Sequence, residues 1–324
     1  MSGKDTPSPA STASPRADLD LPALYTQADS AAGAAQRLFF TFQKYHITCL
    51  VLGSAAAATS AVVDSTIGRW LHVLSTLALG IGVLLTWIAY LRKDELAWFQ
   101  CRVIAESVKT ASWQFVTKSP PFANDQSLVE AFIACLRTIR HSNPAVLDRL
   151  TPSISDSDQM ISDSMMRLRQ APWEQRRQVY REQRLQNQRV WYARKATRNA
   201  TLQKRWLIGA IFLQIAAIGC GVAIAITPTI TLNLIPFLTT AAASAVAWTR
   251  MRRYSELAYT YSITAQELLD LEALEAEIDR EEGLAGLVRQ IENAISREHT
   301  LWHARSAGRA RQPEADLKST DELA

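Results

Sequence analysis

The residues best suited to chemistry in this 324-residue chain are few, and poorly arranged for it. In Glu298-His299 with His303, the two histidines have the four-residue spacing that puts both imidazoles on one helix face, as a metal pair requires. With Trp302 and Arg305 beside them in a charged terminal helix, a solvated polar face is the better reading. His46, His72 and His141 form no HExxH motif, no Gly-rich nucleotide loop occurs, and no Ser or Cys stands in a nucleophile motif. Cys49, Cys101, Cys135 and Cys220 are scattered too widely for a disulfide framework or a zinc site. The expectation is a protein that is not an enzyme and takes no metal and no cofactor.

Two other sets of polar residues carry more information. Gln214, Asn233, Thr239, Thr240 and Ser244 lie inside long apolar runs, as do Ser54, Thr59, Ser60, Ser75 and Thr76. Amides and hydroxyls in lipid need partners, so these side chains serve either helix association or an aqueous path. No Asp, Glu, Lys or Arg lies mid-run, which disfavours a pump or a proton-coupled carrier. Small residues such as Gly53, Ala57, Ala61, Gly219 and Gly221 permit close helix contact, so simple packing competes evenly with a channel. Outside the runs, Trp98, Arg102, Glu106, Lys109 and Trp113 recur at helical steps and define one face, read as a packing face with an internal Arg102–Glu106 or Glu106–Lys109 pair.

The elements that carry these residues are fixed by the charge map. Apart from His46 and His72, no ionisable side chain interrupts 45–63 or 70–91, and none interrupts 206–249. About 20 apolar residues cross a bilayer core, so the first two stretches are one crossing each and the third is long enough for two. Thr227-Pro228-Thr229 marks its turn, giving expected membrane helices near 45–63, 70–91, 206–226 and 231–249. Tyr45, Trp70, Trp87, Tyr90, Trp206 and Trp248 stand near the ends, where amphipathic rings prefer to lie. Lys44, Arg92, Lys93, Arg205, Arg250 and Arg252 flank the open ends of both hairpins, which predicts cytoplasmic termini. The net charge of +4 is explained by these cations and gives no reason to expect nucleic-acid binding.

The chain also repeats itself. At an offset of 161 residues Lys44-Tyr45 falls on Arg205-Trp206, Glu95-Leu96-Ala97-Trp98 on Glu256-Leu257-Ala258-Tyr259, and Glu106 on Glu267, without a gap. The repeated unit is two membrane helices and a cytosolic helix. The expected order is a polar tail over 1–20, a first unit over 21–150, a linker over 151–165, a second unit over 166–305 and a polar tail over 306–324. Leu128, Phe132, Cys135, Leu136 and Ile139 outline a short amphipathic helix, stopped near Asn143-Pro144. A charged helix from about Pro172, with Tyr180, Arg184, Gln188, Trp191 and Lys195 along one side, is expected to run into the third membrane helix, on the order of 80 Å in all. Leu257, Tyr261, Thr264, Leu268, Leu271 and Ile278 keep near-heptad spacing broken by Glu275, predicting a coiled-coil stalk against partner helices. Gly283 is expected to break that helix, with a last one over 284–305. No useful strand pattern appears, so the fold class is an all-α membrane protein of two duplicated transmembrane hairpins with long cytosolic helices.

A pattern of anchors spread over 24–305 resembles the SLATT superfamily, the SMODS- and SLOG-associating two-transmembrane effectors, as two units in tandem. It comprises Leu24-Tyr25, Asp29 and Gln36; Trp98, Arg102, Glu106 and Trp113; Met166 to Arg169, Arg176, Tyr180, Arg184, Gln188, Trp191-Tyr192 and Lys195-Ala196; and Ile295 to His299 with Trp302. The resemblance implies a bacterial cell-membrane effector of nucleotide-dependent, anti-phage conflict systems, forming pores when an invader is sensed. It also implies a signal from nucleotide-signalling or sensor proteins encoded nearby; the duplication, the polar but uncharged apolar helices and the large helical part beside them lead to the expectation of a homo-oligomer in the lipid bilayer. The alternative is a membrane-anchored helical scaffold that recruits signalling partners without a pore.

Overall fold

In the computed structural model, residues 19–150, 159–227 and 229–296 are described. The tails and most of the expected linker lie outside them, as does the Glu298-His299-His303 group. The fold is all-helical, with no strand among the described residues.

Helix α1 (Ala23–Ser60) starts beside the polar helices and continues into the first apolar stretch. A four-residue turn at 61–64, with the Asp64 side chain accepting from the Thr66 N–H, leads into α2 (Ser65–Arg92). The turn is tight: a Cβ on Gly68 would sit 2.6 Å from the Ser60 carbonyl oxygen. Across the hairpin the Ser75 hydroxyl donates to Gly53 O at 2.8 Å, and His46 Nδ1 lies 3.1 Å from both Gly82 O and the Thr86 hydroxyl. Lys93, in the left-handed region at φ 50°, redirects the chain into α3 (Asp94–Val116), which returns along α1.

Helix α4 (Leu128–His141) buries Phe132 and Leu136 and stops where the Asn143 amide donates to Ile139 O, as the sequence predicts. Short helices α5 (Asp163–Gln170) and α6 (Trp173–Tyr180) follow. α6 passes through a π-helical turn (Arg181–Gln186) into α7 (Asn187–Ile226), so helix is continuous over 54 residues, or about 80 Å. Residues 227–234 separate α7 from α8 (Ile235–Arg252), and Arg253, again left-handed at φ 53°, opens α9 (Tyr254–Ala276). The last described helix, α10, covers 281–296.

Several expectations are corrected. Two segments, not four, are long and apolar enough to cross a membrane; they lie within Ser65–Val116 and Trp173–Ile226. The Ala-rich end of α1 and the 18-residue α8 fall short on apolarity, although each packs along one of the two. α8 begins at Ile235, because Pro236 has no N–H to continue a helix back toward 231 and suits the first turn. Gly283 does not break a helix but lies inside α10; the break is at 277–280. The heptad stripe of α9 does find a partner helix, α7 of the same chain: Leu268 and Thr264 are buried and Tyr261 meets Trp191 and Tyr192 with ring centroids 5.5 Å apart.

The repeat is also out of step with its gapless alignment. Lys93 and Arg253, the two left-handed exits, are 160 residues apart. Every buried residue of α9 (Tyr254, Thr264, Leu268, Glu275) then matches a buried residue of α3 (Asp94, Ile104, Val108, Phe115). At 161 the counterparts would be Lys93, Val103, Ser107 and Gln114, none of them buried. One residue turns a helix face by about 100°, so burial separates the two registers cleanly.

The surface divides the molecule. On α2, Trp70, Leu74, Leu77, Val83, Trp87 and Tyr90 are exposed; on α7, Ile208, Phe212, Ile215, Ile218, Val222 and Ile226 are. Exposed apolar side chains at this density need a non-aqueous covering. The core instead lies in the helices outside those apolar stretches, around Ile104, Val108, Phe115, Met165, Tyr180, Leu185 and Ile291.

Candidate functional site

The centre of the helical bundle outside the long apolar segments holds charge where a core would ordinarily be apolar. Glu292 on α10 and Arg184 on the π-helical turn are both fully buried. Glu292 Oε1 accepts from Arg184 Nε at 2.9 Å and Tyr180 OH at 3.0 Å; Oε2 accepts from Arg184 Nη2 and from the Thr110 hydroxyl, each at 2.7 Å. One carboxylate therefore joins α3, the α6–π segment and α10. Such a bidentate pair satisfies the carboxylate fully, whereas Arg184 Nη1 has no hydrogen-bond partner. Burial by itself pulls the Arg184 pKa down, but the Glu292 charge and hydrogen bonds beside it outweigh that and raise it above the ordinary range, so Arg184 stays charged. Burial, then the Glu292 charge, pushes the Tyr180 hydroxyl well above its ordinary range, so it remains a donor.

The predicted packing face lies next to this cluster. Arg102 bridges Glu106 at 2.6 Å and Asp29 of α1 at 3.2 Å, which selects the Arg102–Glu106 pair of the two expected. Trp113 is buried edge-on to Tyr180 at 5.5 Å, and the Lys109 ammonium lies 5.8 Å from the Tyr25 ring. Burial, reinforced by Arg184, pulls Lys109 down from its ordinary range. Burial and the neighbouring Asp29 and Glu106 charges push Tyr25 up. Trp98 is further along α3, packed on Phe40 and Phe99. Trp191 and Tyr192 belong to the α7–α9 contact, and Glu267 is half-buried on α9.

Two more arginines close the bundle. Arg169 donates to Phe115 O and Phe122 O, and Arg176 to Thr117 O and to Glu281; both guanidiniums are almost wholly buried. They bind carbonyls at and just beyond the C-terminal end of α3. Arg177 does the same for α9, reaching Glu275 O at 2.7 Å and the buried Glu275 carboxylate at 2.5 Å.

Gln214 is exposed on α7. Asn233 lies outside α8, its side chain accepting from the Ile235 N–H at 3.0 Å as a turn residue, and not within the fourth helix as expected. The Thr239 hydroxyl returns to Ile235 O, and Thr240 and Ser244 are half-buried on the same helix.

Sequence reasoning placed Tyr180 and Arg184 on one side of a charged helix as well as in the family pattern, found Arg169 and Arg176 only through that pattern, and missed Glu292. Its signal was present: Glu292 interrupts the apolar series Leu284, Leu287, Val288, Ile291 and Ile295, and a charge on such a stripe requires a buried partner. The arrangement is mechanical. It ties the first helices of the chain to its last described one through charges that cannot separate without desolvation cost.

Residues 22–177 match the family of SMODS and SLOG-associating 2TM effector domain 3, and residues 180–302 match SMODS and SLOG-associating 2TM effector domain 1. The division between them falls just before the π-helical turn. No curated protein and no solved structure matches the chain.

Proposed function

As a member of the SLATT superfamily, with one SLATT domain over 22–177 and a second over 180–302, this chain is, we propose, a multi-pass membrane effector that opens a pore in a bacterial nucleotide-signalling, anti-phage system. The SMODS and SLOG partners named for both domains supply the class of signal. In this reading both hairpins span the cell membrane with cytoplasmic termini, α1 and α8 crossing beside the more apolar α2 and α7. The observation that carries it is the division of the surface: large apolar side chains point outward along α2 and α7, while charged groups are locked inside the cytosolic bundle. An assembly held shut by the Arg184–Glu292 tie would be released when a signalling partner displaces α10.

Purified chain in liposomes should leak ions once its signalling partner is added, and Glu292→Ala should leak without it. Vesicles that stay tight under both conditions sink the pore reading. The scaffold reading is favoured by one observation, that Gln214, Asn233 and Thr239 are exposed and the last two hydrogen-bond to backbone of their own segment. Replacing the hairpins by unrelated membrane helices separates the two: retained activity belongs to a scaffold.

A further inference from the structure

At the seam between the two domains, α1, α7 and α8 enclose a cleft of about 530 Å³ at the end of the apolar helices where the flanking cations lie. Five cations line it: Arg37 and Lys44 from the first domain, Lys195, Arg198 and Arg252 from the second. No carboxylate lines it, and among the described residues none of the five forms an ion pair. This contrasts with the bundle core a few turns away, where Arg102, Arg169, Arg176, Arg177 and Arg184 all meet carboxylates. Arg252 is held over aromatic rings, its guanidinium 4.1 Å from the Phe40 ring centroid and 5.6 Å from that of Trp248, with Nε donating to Tyr254 OH. Asn199 is fixed at the base of the cleft by its bond to Lys195 O.

Five like charges converging on one cavity repel one another unless an anion joins them, and the ring-stacked Arg252 is already oriented to meet it. From this geometry we propose that the cleft binds the phosphate headgroup of an anionic phospholipid from the adjoining leaflet. Trp248 sits at the level of an interfacial aromatic, and the exposed apolar flanks of α2 and α7 leave acyl chains a surface beside the headgroup. Because its walls come from both domains, the site exists only in the tandem, and its occupant would clamp one hairpin to the other. The proposal rests on the membrane placement above but not on pore opening.

The test uses the full chain in detergent, titrated with short-chain phosphatidylglycerol, short-chain phosphatidylcholine, and glycerol 3-phosphate as the free headgroup anion, read by native mass spectrometry and thermal shift. Phosphatidylglycerol should bind saturably. Lys195→Gln/Arg198→Gln should weaken it about 30-fold, taking about 1 kcal/mol per basic residue near a membrane surface. Arg37→Gln/Lys44→Gln, from the opposite wall, should do the same. The control pair Lys204→Gln/Arg205→Gln removes equal charge at the same membrane end but outside the cleft, and should change binding little. An equal loss in the control, or equal binding of phosphatidylcholine, overturns the site. Glycerol 3-phosphate binding as tightly as the lipid overturns the lipid assignment. Leak assays play no part, so failure of the pore reading leaves this result intact.

Discussion

Removing the Glu292 carboxylate should be among the most damaging single changes to the bundle, and removing its partner as well should largely undo the damage. Glu292 accepts four hydrogen bonds, two from Arg184 and one each from Tyr180 and Thr110, and both charges are fully buried. Glu292→Ala leaves Arg184 charged and unpaired in the core, at about 3–5 kcal/mol for one half of a buried pair. Glu292→Gln keeps the shape but turns an amide NH2 toward donors, so it should cost nearly as much. Tyr180→Phe deletes one bond to a charged acceptor and should cost about 1.5–3 kcal/mol. The double replacement Arg184→Met/Glu292→Leu removes both desolvated charges and fills the space with apolar volume, so it should return close to wild-type stability. Denaturant unfolding of the full chain in detergent, arranged as a double-mutant cycle, measures all four. A Glu292→Ala variant within 1 kcal/mol of wild type would refute the argument, as would a double variant as unstable as the two single losses added together.

The remaining predictions concern other parts of the molecule. Gly68→Ala should destabilise the first hairpin by about 1–3 kcal/mol, since its Cβ would lie 2.6 Å from Ser60 O; unchanged thermal stability in detergent would show that the turn can open. Stability should hold through neutral pH and fall above about pH 10, because Tyr180 and Tyr25 keep their protons in the fold after the unfolded chain has released them. On the acid side it should fall as pH drops below the ordinary Asp value of 3.8. Burial pushes Asp94 up, but hydrogen bonds from Arg92 and Arg149 outweigh it and hold the folded carboxyl lower; a pH series of unfolding midpoints checks both arms. Gln214→Leu should lower conductance at constant oligomer size if the exposed amide faces a pore. It should loosen the oligomer by roughly 0.5–2 kcal/mol if the amide bonds a neighbouring subunit. Conductance and light scattering together decide between these, and no change in either removes Gln214 from both accounts.

Much of this protein is written locally. Apolar runs, their aromatic ends and the cations beside them depend on side-chain partition alone, so the all-α class and the two strongest membrane segments are legible without tertiary information. The face Trp98–Arg102–Glu106–Lys109–Trp113 is legible for the same reason, because helical periodicity is a property of neighbours three and four apart. Composition alone overstated α1 and α8, whose apolarity falls short of their partners' although they pack along them. Identity between repeats located the duplication but not its register. Glu95-Leu96-Ala97-Trp98 on Glu256-Leu257-Ala258-Tyr259 is the better match of letters, yet Lys93 and Arg253 occupy equivalent backbone positions, one residue out of step. Burial, a relation between helices, decides that. The same holds for α9, whose stripe could not say whether its partner was another chain or α7. It holds most of all for Glu292, which is separated by more than a hundred residues from Tyr180 and Arg184 and acquires its meaning only when folding brings α10 against the π-helical turn. A charge can be read from sequence as costly to bury; which opposite charge makes its burial tolerable is decided in three dimensions, where desolvation and Coulomb attraction are settled together.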